Sequence, residues 1–249
     1  MKRGLKAGGL AVMVLTLLAA GNKPQEAAAV RPAEAAPAGG ATLSGSISVT
    51  GNVPAPTKIK MAADPACAQA HPDAVMSREL VASNGKLQNV LVYVKDGVTG
   101  SFPAPTEAVV INQTGCMYEP HVFGIQAGQK LEILNSDATL HNVNCQPKLN
   151  KKFNLAQPTK GMKSAKTFDQ PEVPVPFKCN VHPWMTAYAG VFGHPFFAVS
   201  GADGAFSISN LPAGTYTLEA WHEKLGAKTQ TVTIAEGESK KITFSFEAK

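Results

Sequence analysis

Three side chains that can bind a soft metal ion lie within seven residues of one another. Cys179, His182 and Met185 offer a thiolate, an imidazole and a thioether at the spacing Cys-x2-His-x2-Met. Sulfur ligands select Cu(I) and imidazole also suits Cu(II), so a site with both can pass one electron with little rearrangement. A trigonal copper site with a weak axial methionine uses two imidazoles. The motif therefore predicts copper chemistry only if a second histidine joins it.

A second histidine is available at His141, which lies 38 residues before Cys179 and follows the strand-like run 129–134. The run 172–177 precedes Cys179 and the apolar run 186–192 follows Met185, as expected for a loop between two strands. A chance Cys/His run and a fragment of a zinc site are the alternatives. Structural zinc sites use more cysteines or a regular second ligand pair, and neither is present here.

The N-terminus predicts export. Lys2, Arg3 and Lys6 form a basic segment, and a predominantly apolar stretch of fourteen residues without a charge follows at 7–20. This length is short for a membrane span and typical of a secretory signal peptide, which we place at residues 1–20. An uncleaved anchor is the alternative. Without the three basic residues the formal net charge falls from +5 to +2, so no basic surface for nucleic acid is expected.

Residues 21–41 are rich in Ala, Pro, Glu and Gly and predict a disordered linker. About 210 residues follow, with many glycines and prolines and with short runs of alternating apolar residues. No stretch sustains a helical apolar period. We therefore predict an all-β chain built of sandwiches. The strand-like runs are 42–50, 87–94, 108–111, 205–208, 215–221, 229–234 and 241–246.

Two turn-and-strand units near the C-terminus, at 200–208 and 211–218, resemble the carboxypeptidase regulatory-like domain, a small transthyretin-like sandwich. The opening strands of such a domain are missing nearby, but suitable runs occur at 43–49 and 87–94. The resemblance thus implies a domain made of residues 42–100 and 194–249, with residues 101–193 inserted at a surface loop. The alternative is two consecutive domains, with 42–100 as a separate β module.

The segment 101–193 resembles the amicyanin and plastocyanin group of cupredoxins. The resemblance rests on the runs 117–122 and 125–129, on His141-Asn142-Val143, and on the short closing loop from Cys179 with Pro183 after its histidine. It implies a Greek-key β-sandwich with one type 1 copper. His141, Cys179 and His182 would be the equatorial ligands and Met185 the axial ligand. Asn142 would join the two ligand loops by hydrogen bonding.

The resemblance implies an exported carrier of single electrons, periplasmic or secreted. Electrons would pass through the ring edge of His182, with Pro183 and Trp184 as an apolar docking patch. The partner would be a redox protein such as a c-type cytochrome, a copper enzyme or a membrane respiratory complex. We expect no enzymatic activity and no small-molecule substrate, since no catalytic motif is present. The alternatives are a copper-delivery protein without redox cycling and a non-catalytic β-sandwich interaction module with a degenerate copper loop.

The remaining cysteines and histidines are expected to be structural. Cys67 and Cys116 lie in polar, turn-like surroundings of an exported chain, so we predict a disulfide between them. Cys145 could be a buried free thiol, could pair with either of these, or could lie close to the metal. A bond between Cys145 and Cys179 would abolish the site. The histidines expected to have packing or loop roles are His71, His121, His194 and His222.

Overall fold

The structure is a computed structural model that describes residues 39–249 together with Met1. The predicted signal peptide (residues 1–20) and residues 21–38 of the predicted linker lie outside the described residues. The first strand begins at Ala41, which is fully buried, so the last residue of the predicted linker is part of the folded unit. Among the described residues, no helix is long and apolar enough to cross a membrane.

The regular structure of the described chain is almost entirely β-strand, with one short helix, which confirms the all-β prediction. Its elements, in chain order, are β1 (Ala41–Gly51), α1 (Pro65–Ala70), β2 (Ala82–Ser83), β3 (Lys86–Leu87), β4 (Leu91–Asp96), β5 (Val109–Thr114), β6 (Met117–Glu119), β7 (Val122–Gln126), β8 (Leu131–Asn135), β9 (His141–Cys145), β10 (Phe153–Gln157), β11 (Lys163–Lys166), β12 (Glu172–Lys178), β13 (Thr186–Phe192), β14 (Phe197–Val199), β15 (Ala205–Leu211), β16 (Gly214–His222), β17 (Gly226–Ile234) and β18 (Ser239–Ala248).

These strands form four sheets, which pair into two sandwiches. The terminal sandwich takes strands from both ends of the described chain. Its sheets are β15-β1-β3-β2, with β18 beside β1, and β14-β4-β16-β17. The middle sandwich has the sheets β10-β9-β12-β13-β7 and β11-β8-β5-β6. The chain therefore leaves the terminal sandwich after β4 and returns to it at β14.

Each sandwich has its own apolar core, and a third cluster lies between them. Strand β4 shows how one strand contributes to two of these clusters. Successive side chains of a strand point to opposite faces of its sheet. Val92 and Val94 enter the core of the terminal sandwich, whereas Leu91 and Tyr93 join Val122 in the cluster that faces the middle sandwich. The continuous apolar run at 91–94 is thus explained by a strand covered on both faces.

The two sandwiches approach each other closely at Gly190 of β13. A Cβ atom there would lie 2.4 Å from Leu91 Cδ2 and 2.5 Å from the Phe192 ring. Both neighbours are buried, so the contact cannot be relieved at a flexible surface side chain. The absence of a side chain at Gly190 is therefore what lets these two sheets pack.

Replacement of Gly190 by alanine is expected to lower the free energy of unfolding by about 1–3 kcal/mol, the usual cost of overfilling a packed core. Urea denaturation would measure the change. Gly193→Ala is the matched control, because an added Cβ there meets only an ordinary contact at 3.8 Å from Pro171. Equal stability of the two variants would contradict the close packing described here.

Candidate metal centre

The structure brings together His141, Cys179 and His182. Their ligand atoms all lie within 4.8 Å of one another. His141 Nδ1 is 2.9 Å from His182 Nδ1, and Cys179 Sγ is 3.8 Å from His182 Nδ1. The three side chains are buried, with exposed fractions of 0%, 3% and 2%. A set of soft and borderline donors is thus gathered away from water.

Strand pairing accounts for this convergence. β9 begins at His141, and β12 runs antiparallel beside it with Lys178 opposite Asn144. The chain that follows β12 therefore runs towards the start of β9, where His141 lies. The following loop is closed by two backbone bonds: Met185 N–H donates to His182 O, and Cys179 N–H donates to Met185 O. Met185 is fully buried in the same core cluster as Cys179.

Each imidazole is held by a carboxylate on its far side. His141 Nε2 lies 2.9 Å from Asp137 Oδ2, and His182 Nε2 lies 2.9 Å from Asp64 Oδ2. An ionised carboxylate only accepts hydrogen bonds, so neutral imidazoles here carry their protons on Nε2. The two Nδ1 lone pairs then face each other at 2.9 Å. This arrangement requires a proton or a cation between them.

The charges of the site complement such a cation. Burial raises the pKa of the Cys179 thiol, but hydrogen bonds from the His141 side chain and from three backbone N–H groups lower it to about 6. Burial lowers the pKa of His141, but its bonds with Asp137 and Cys179 raise it to about 9. The two shifts favour the charged forms of both groups, a protonated imidazole and a thiolate, when no metal is bound. A metal ion would displace that proton.

The donor set fits one first-row transition metal ion. Bonds of such an ion measure about 2.0 Å to imidazole nitrogen and about 2.3 Å to thiolate sulfur. At angles between about 90° and 120°, two nitrogens on one ion lie about 2.8–3.5 Å apart, and nitrogen and sulfur lie about 3.7 Å apart at 120°. The observed separations of 2.9 Å and 3.8 Å agree with these values. These two separations are those of donor atoms that can share one ion.

Asn142 connects the strand of one ligand to the loop of the others. Its Oδ1 accepts the backbone N–H of Asn180 at 2.5 Å, and its Nδ2 donates to Asn154 Oδ1 at 2.5 Å. Its backbone carbonyl accepts the Tyr118 hydroxyl at 2.6 Å. Such bonds around a metal site hold the ligands in place.

Replacement of Asn142 by alanine is expected to weaken Cu(II) binding by about 10–100-fold, the usual cost of losing an outer partner of a metal ligand. Competition with a chelator of known affinity would measure the change. Asn144→Ala is the control, because Asn144 contacts the same loop residue through an exposed side-chain bond to Asn180 Oδ1 at 3.1 Å. Equal affinities of the two variants would show that Asn142 does not position the ligands.

The predicted docking residues lie beside the site, but the ring edge of His182 does not reach the surface. Pro183 is exposed and Trp184 is half-buried. The Trp184 ring lies 5.1 Å from the His182 ring, and its Nε1 donates to Cys116 O at 3.0 Å. The predicted electron path through the ring edge of His182 is therefore not direct, because Asp64 from the segment between β1 and β2 covers that edge.

Asp64 and Asp137 are the functional candidates that the sequence reasoning missed. Asp137 precedes His141 by four residues, a proximity that could have drawn attention to it. Asp64 stands directly before Pro65, a pattern typical of the start of a helix. It does cap α1, accepting hydrogen bonds from Ala66 N–H and Cys67 N–H. That pattern does not indicate which distant side chain the carboxylate also meets.

The four cysteines divide into one pair and two buried free thiols. Cys67 and Cys116 form a disulfide with a Cα–Cα distance of 5.5 Å. Cys145 and Cys179 are free, so no bond between them blocks the site. Cys145 lies opposite Phe177 in the neighbouring strand and is fully buried. Its pKa is raised by burial and by the charge of Glu172, so it remains a thiol.

The other histidines make bonds within the protein. His71 Nε2 lies 2.6 Å from Gly115 O, and His194 Nε2 lies 2.9 Å from Val94 O. His121 contacts the Glu223 carboxylate, and His222 Nδ1 accepts backbone N–H groups of the turn that follows it. None of the four belongs to a candidate metal cluster among the described residues.

Comparisons with known proteins give one family match and several partial structural similarities. Residues 190–247 match the family model described as the carboxypeptidase regulatory-like domain. No curated protein shows significant sequence similarity to the chain. Solved structures similar to part of the chain include a Cu(I) form of an amicyanin variant, with 22% identity over 34% of this chain and 81% of that chain and a TM-score of 0.30.

Two further structures are a purple cupredoxin from Nitrosopumilus maritimus and a copper-containing nitrite reductase from Thermus scotoductus SA-01. The first has 22% identity over 34% of this chain and 97% of that chain, with a TM-score of 0.28. The second has 21% identity over 40% of this chain and 25% of that chain, with a TM-score of 0.29. The chain is thus similar over residues 190–247 to the carboxypeptidase regulatory-like domain and over part of its length to these three solved structures.

Proposed function

We propose that this chain is an exported electron carrier that holds one type 1 copper ion through His141, Cys179, His182 and Met185. One observation carries the proposal. The Nδ1 atoms of His141 and His182 lie 2.9 Å apart beside the buried sulfur of Cys179, while the Nε2 atom of each ring contacts a carboxylate. Two imidazoles with one thiolate and a thioether are the donor set of a copper site. Copper, when bound, would supply one-electron chemistry between Cu(I) and Cu(II).

The residues of the chain would hold this site rigid and dry. His141 leaves the start of a strand, and the Cys179–Met185 loop is closed by its own backbone bonds. The carboxylates fix both rings, and Asn142 joins the two ligand-bearing elements. Ligands that are held in place move little between the two oxidation states of the metal, which suits rapid electron transfer.

Contact with a partner would occur at Pro183 and Trp184. Trp184 packs against the ring of a ligand and is half-exposed, so it connects the site to the surface. We propose a redox protein as the partner, such as a c-type cytochrome, a copper enzyme or a membrane respiratory complex. Small interfaces suit such brief encounters. The Cys67–Cys116 disulfide supports an exported location, because disulfides persist in oxidising compartments.

The test is retention of copper through a redox cycle. The mature protein would be loaded with one equivalent of Cu(II), reduced, passed over a desalting column with a Cu(I) chelator, and reoxidised. We expect one copper per chain to remain in both states and a reversible one-electron wave in voltammetry. Loss of copper on reduction would support a copper-delivery protein instead. Failure to bind any copper would overturn the metal-site proposal and leave an interaction module.

A further inference from the structure

The carboxylate of Asp64 is fixed in place by several neighbours at once. Its Oδ1 accepts backbone N–H groups of Ala66 at 2.8 Å and Cys67 at 3.2 Å. Its Oδ2 accepts the Thr139 hydroxyl at 2.9 Å and lies 2.9 Å from His182 Nε2. The two oxygens therefore have different partners: Oδ1 caps helix α1, and Oδ2 contacts the His182 imidazole.

The Cys67–Cys116 disulfide connects this carboxylate to the one on the other ring. Cys67 N–H donates to Asp64, while Cys116 N–H donates to Asp137 Oδ2 at 2.8 Å. Cys67 Sγ also lies 3.5 Å from His182 Nε2. Asp64 and Asp137 are more than 70 residues apart in sequence, yet each accepts a backbone hydrogen bond from one cysteine of the same disulfide. The positions of the two rings are thereby coupled.

The segment that carries Asp64 also removes His182 from solvent. The side chain of His182 is 3% exposed, and that of Asp64 is 21% exposed. The carboxylate therefore lies between the imidazole and the surface. An anion at this position, in surroundings of reduced dielectric constant, interacts more favourably with a metal ion of higher charge.

We propose that Asp64 is a positioning residue that keeps the proton of His182 on Nε2, leaves Nδ1 free to bind the metal, and favours the oxidised ion. The inference rests on the proposed copper site. A carboxylate behind a histidine ligand fixes its tautomer and the orientation of its ring. In this chain the carboxylate belongs to neither ligand loop. The segment between β1 and β2 (residues 52–81), called the covering segment below, therefore excludes solvent from His182 and also positions its ring.

Asp64→Asn is the informative variant. Asparagine is as good a helix N-cap as aspartate, so α1 is retained. When its Oδ1 caps α1, its amide Nδ2 faces His182 and donates where the carboxylate accepted. The proton of His182 must then move to Nδ1, the nitrogen that should bind metal. Asp73→Asn is the matched control, because Asp73 is exposed in the same covering segment and its replacement makes the same charge change.

Two readouts separate this inference from the proposed function. In metal-free protein at neutral pH, ¹⁵N NMR of the imidazoles should show the Nε2–H form of His182 in wild type and in Asp73→Asn, and the Nδ1–H form in Asp64→Asn. In copper-loaded protein, Asp64→Asn should bind Cu(II) about 10–100-fold more weakly. If the loss of Cu(II) affinity is ten times larger than the loss of Cu(I) affinity, the reduction potential of the copper rises by about 59 mV.

The possible outcomes are distinct. Wild-type protein that binds no copper overturns the proposed function, while the NMR result still tests the role of Asp64. Wild-type protein that binds copper, with Asp64→Asn matching Asp73→Asn in tautomer and affinity, overturns the role of Asp64 alone. If Asp64→Asn does not fold, Thr139→Val replaces it, since that change removes one anchor of Oδ2 and preserves every charge. Its Cu(II) affinity should then fall, and an unchanged affinity would overturn the inference.

Discussion

Replacement of Cys179 by serine is expected to abolish the intense visible absorption of the copper-loaded protein and to weaken Cu(II) binding by more than about 100-fold. Loss of an outer partner already costs about 10–100-fold, and Cys179 is the proposed ligand itself. The thiolate is the one soft anionic donor of the set, and a serine hydroxyl stays protonated and hard. Visible spectroscopy during a Cu(II) titration would measure both effects.

Cys145→Ala is the matched control for this variant. Cys145 and Cys179 are the free cysteines of the described chain, both are buried, and they belong to the same core cluster. They differ in their bonds: hydrogen bonds lower the pKa of Cys179 to about 6, whereas burial raises that of Cys145. The Cys145 variant should keep full absorption. The reverse result, with the band lost only in Cys145→Ala, would contradict the ligand assignment.

Removal of the disulfide is expected to have the largest effect on stability. The double variant Cys67→Ala/Cys116→Ala should lose about 2–4 kcal/mol of unfolding free energy. The bond joins residues 49 apart in sequence, so its loss enlarges the freedom of the unfolded chain. It also releases the covering segment, whose helix α1 has only six residues. Urea denaturation of the metal-free protein would measure the change.

Wild-type protein in the presence of a reductant provides an independent comparison, because it loses the same cross-link without a change of sequence. Its denaturation midpoint should move towards that of the double variant. The Cys145→Ala variant keeps the disulfide and removes only a free thiol, so its denaturation midpoint should respond to reductant as that of wild type does. A midpoint insensitive to reductant and to the double substitution would show that the cross-link does not stabilise the fold.

Much of the candidate site could be predicted from the sequence because its ligands are close in the chain. Cys179, His182 and Met185 share one loop, and the alternating runs on either side fix that loop between two strands. His141 could be added because a strand-like run ends just before it. Side-chain alternation likewise identified most of the long strands, since burial on one face leaves a period of two.

The cover of the site could not be predicted in the same way. The segment between β1 and β2 has no apolar periodicity, and nothing local indicates where it folds back. Asp64 is 118 residues from His182, so their contact is a product of tertiary packing. The prediction of an electron path through the ring edge of His182 rested on the loop that carries this residue, and the contact with Asp64 covers that edge.

The parallel pairing of β1 with β18 has a consequence for the order of folding. Thr42 is opposite Ser239 and Gly51 is opposite Ala248, so one long side of β1 is completed only by the final strand. Contacts between such distant residues form slowly. The strands of the middle sandwich come from one continuous stretch and can assemble earlier. A chain shortened before Ser239 would keep every candidate ligand yet expose a bare sheet edge, and it should aggregate rather than remain monomeric.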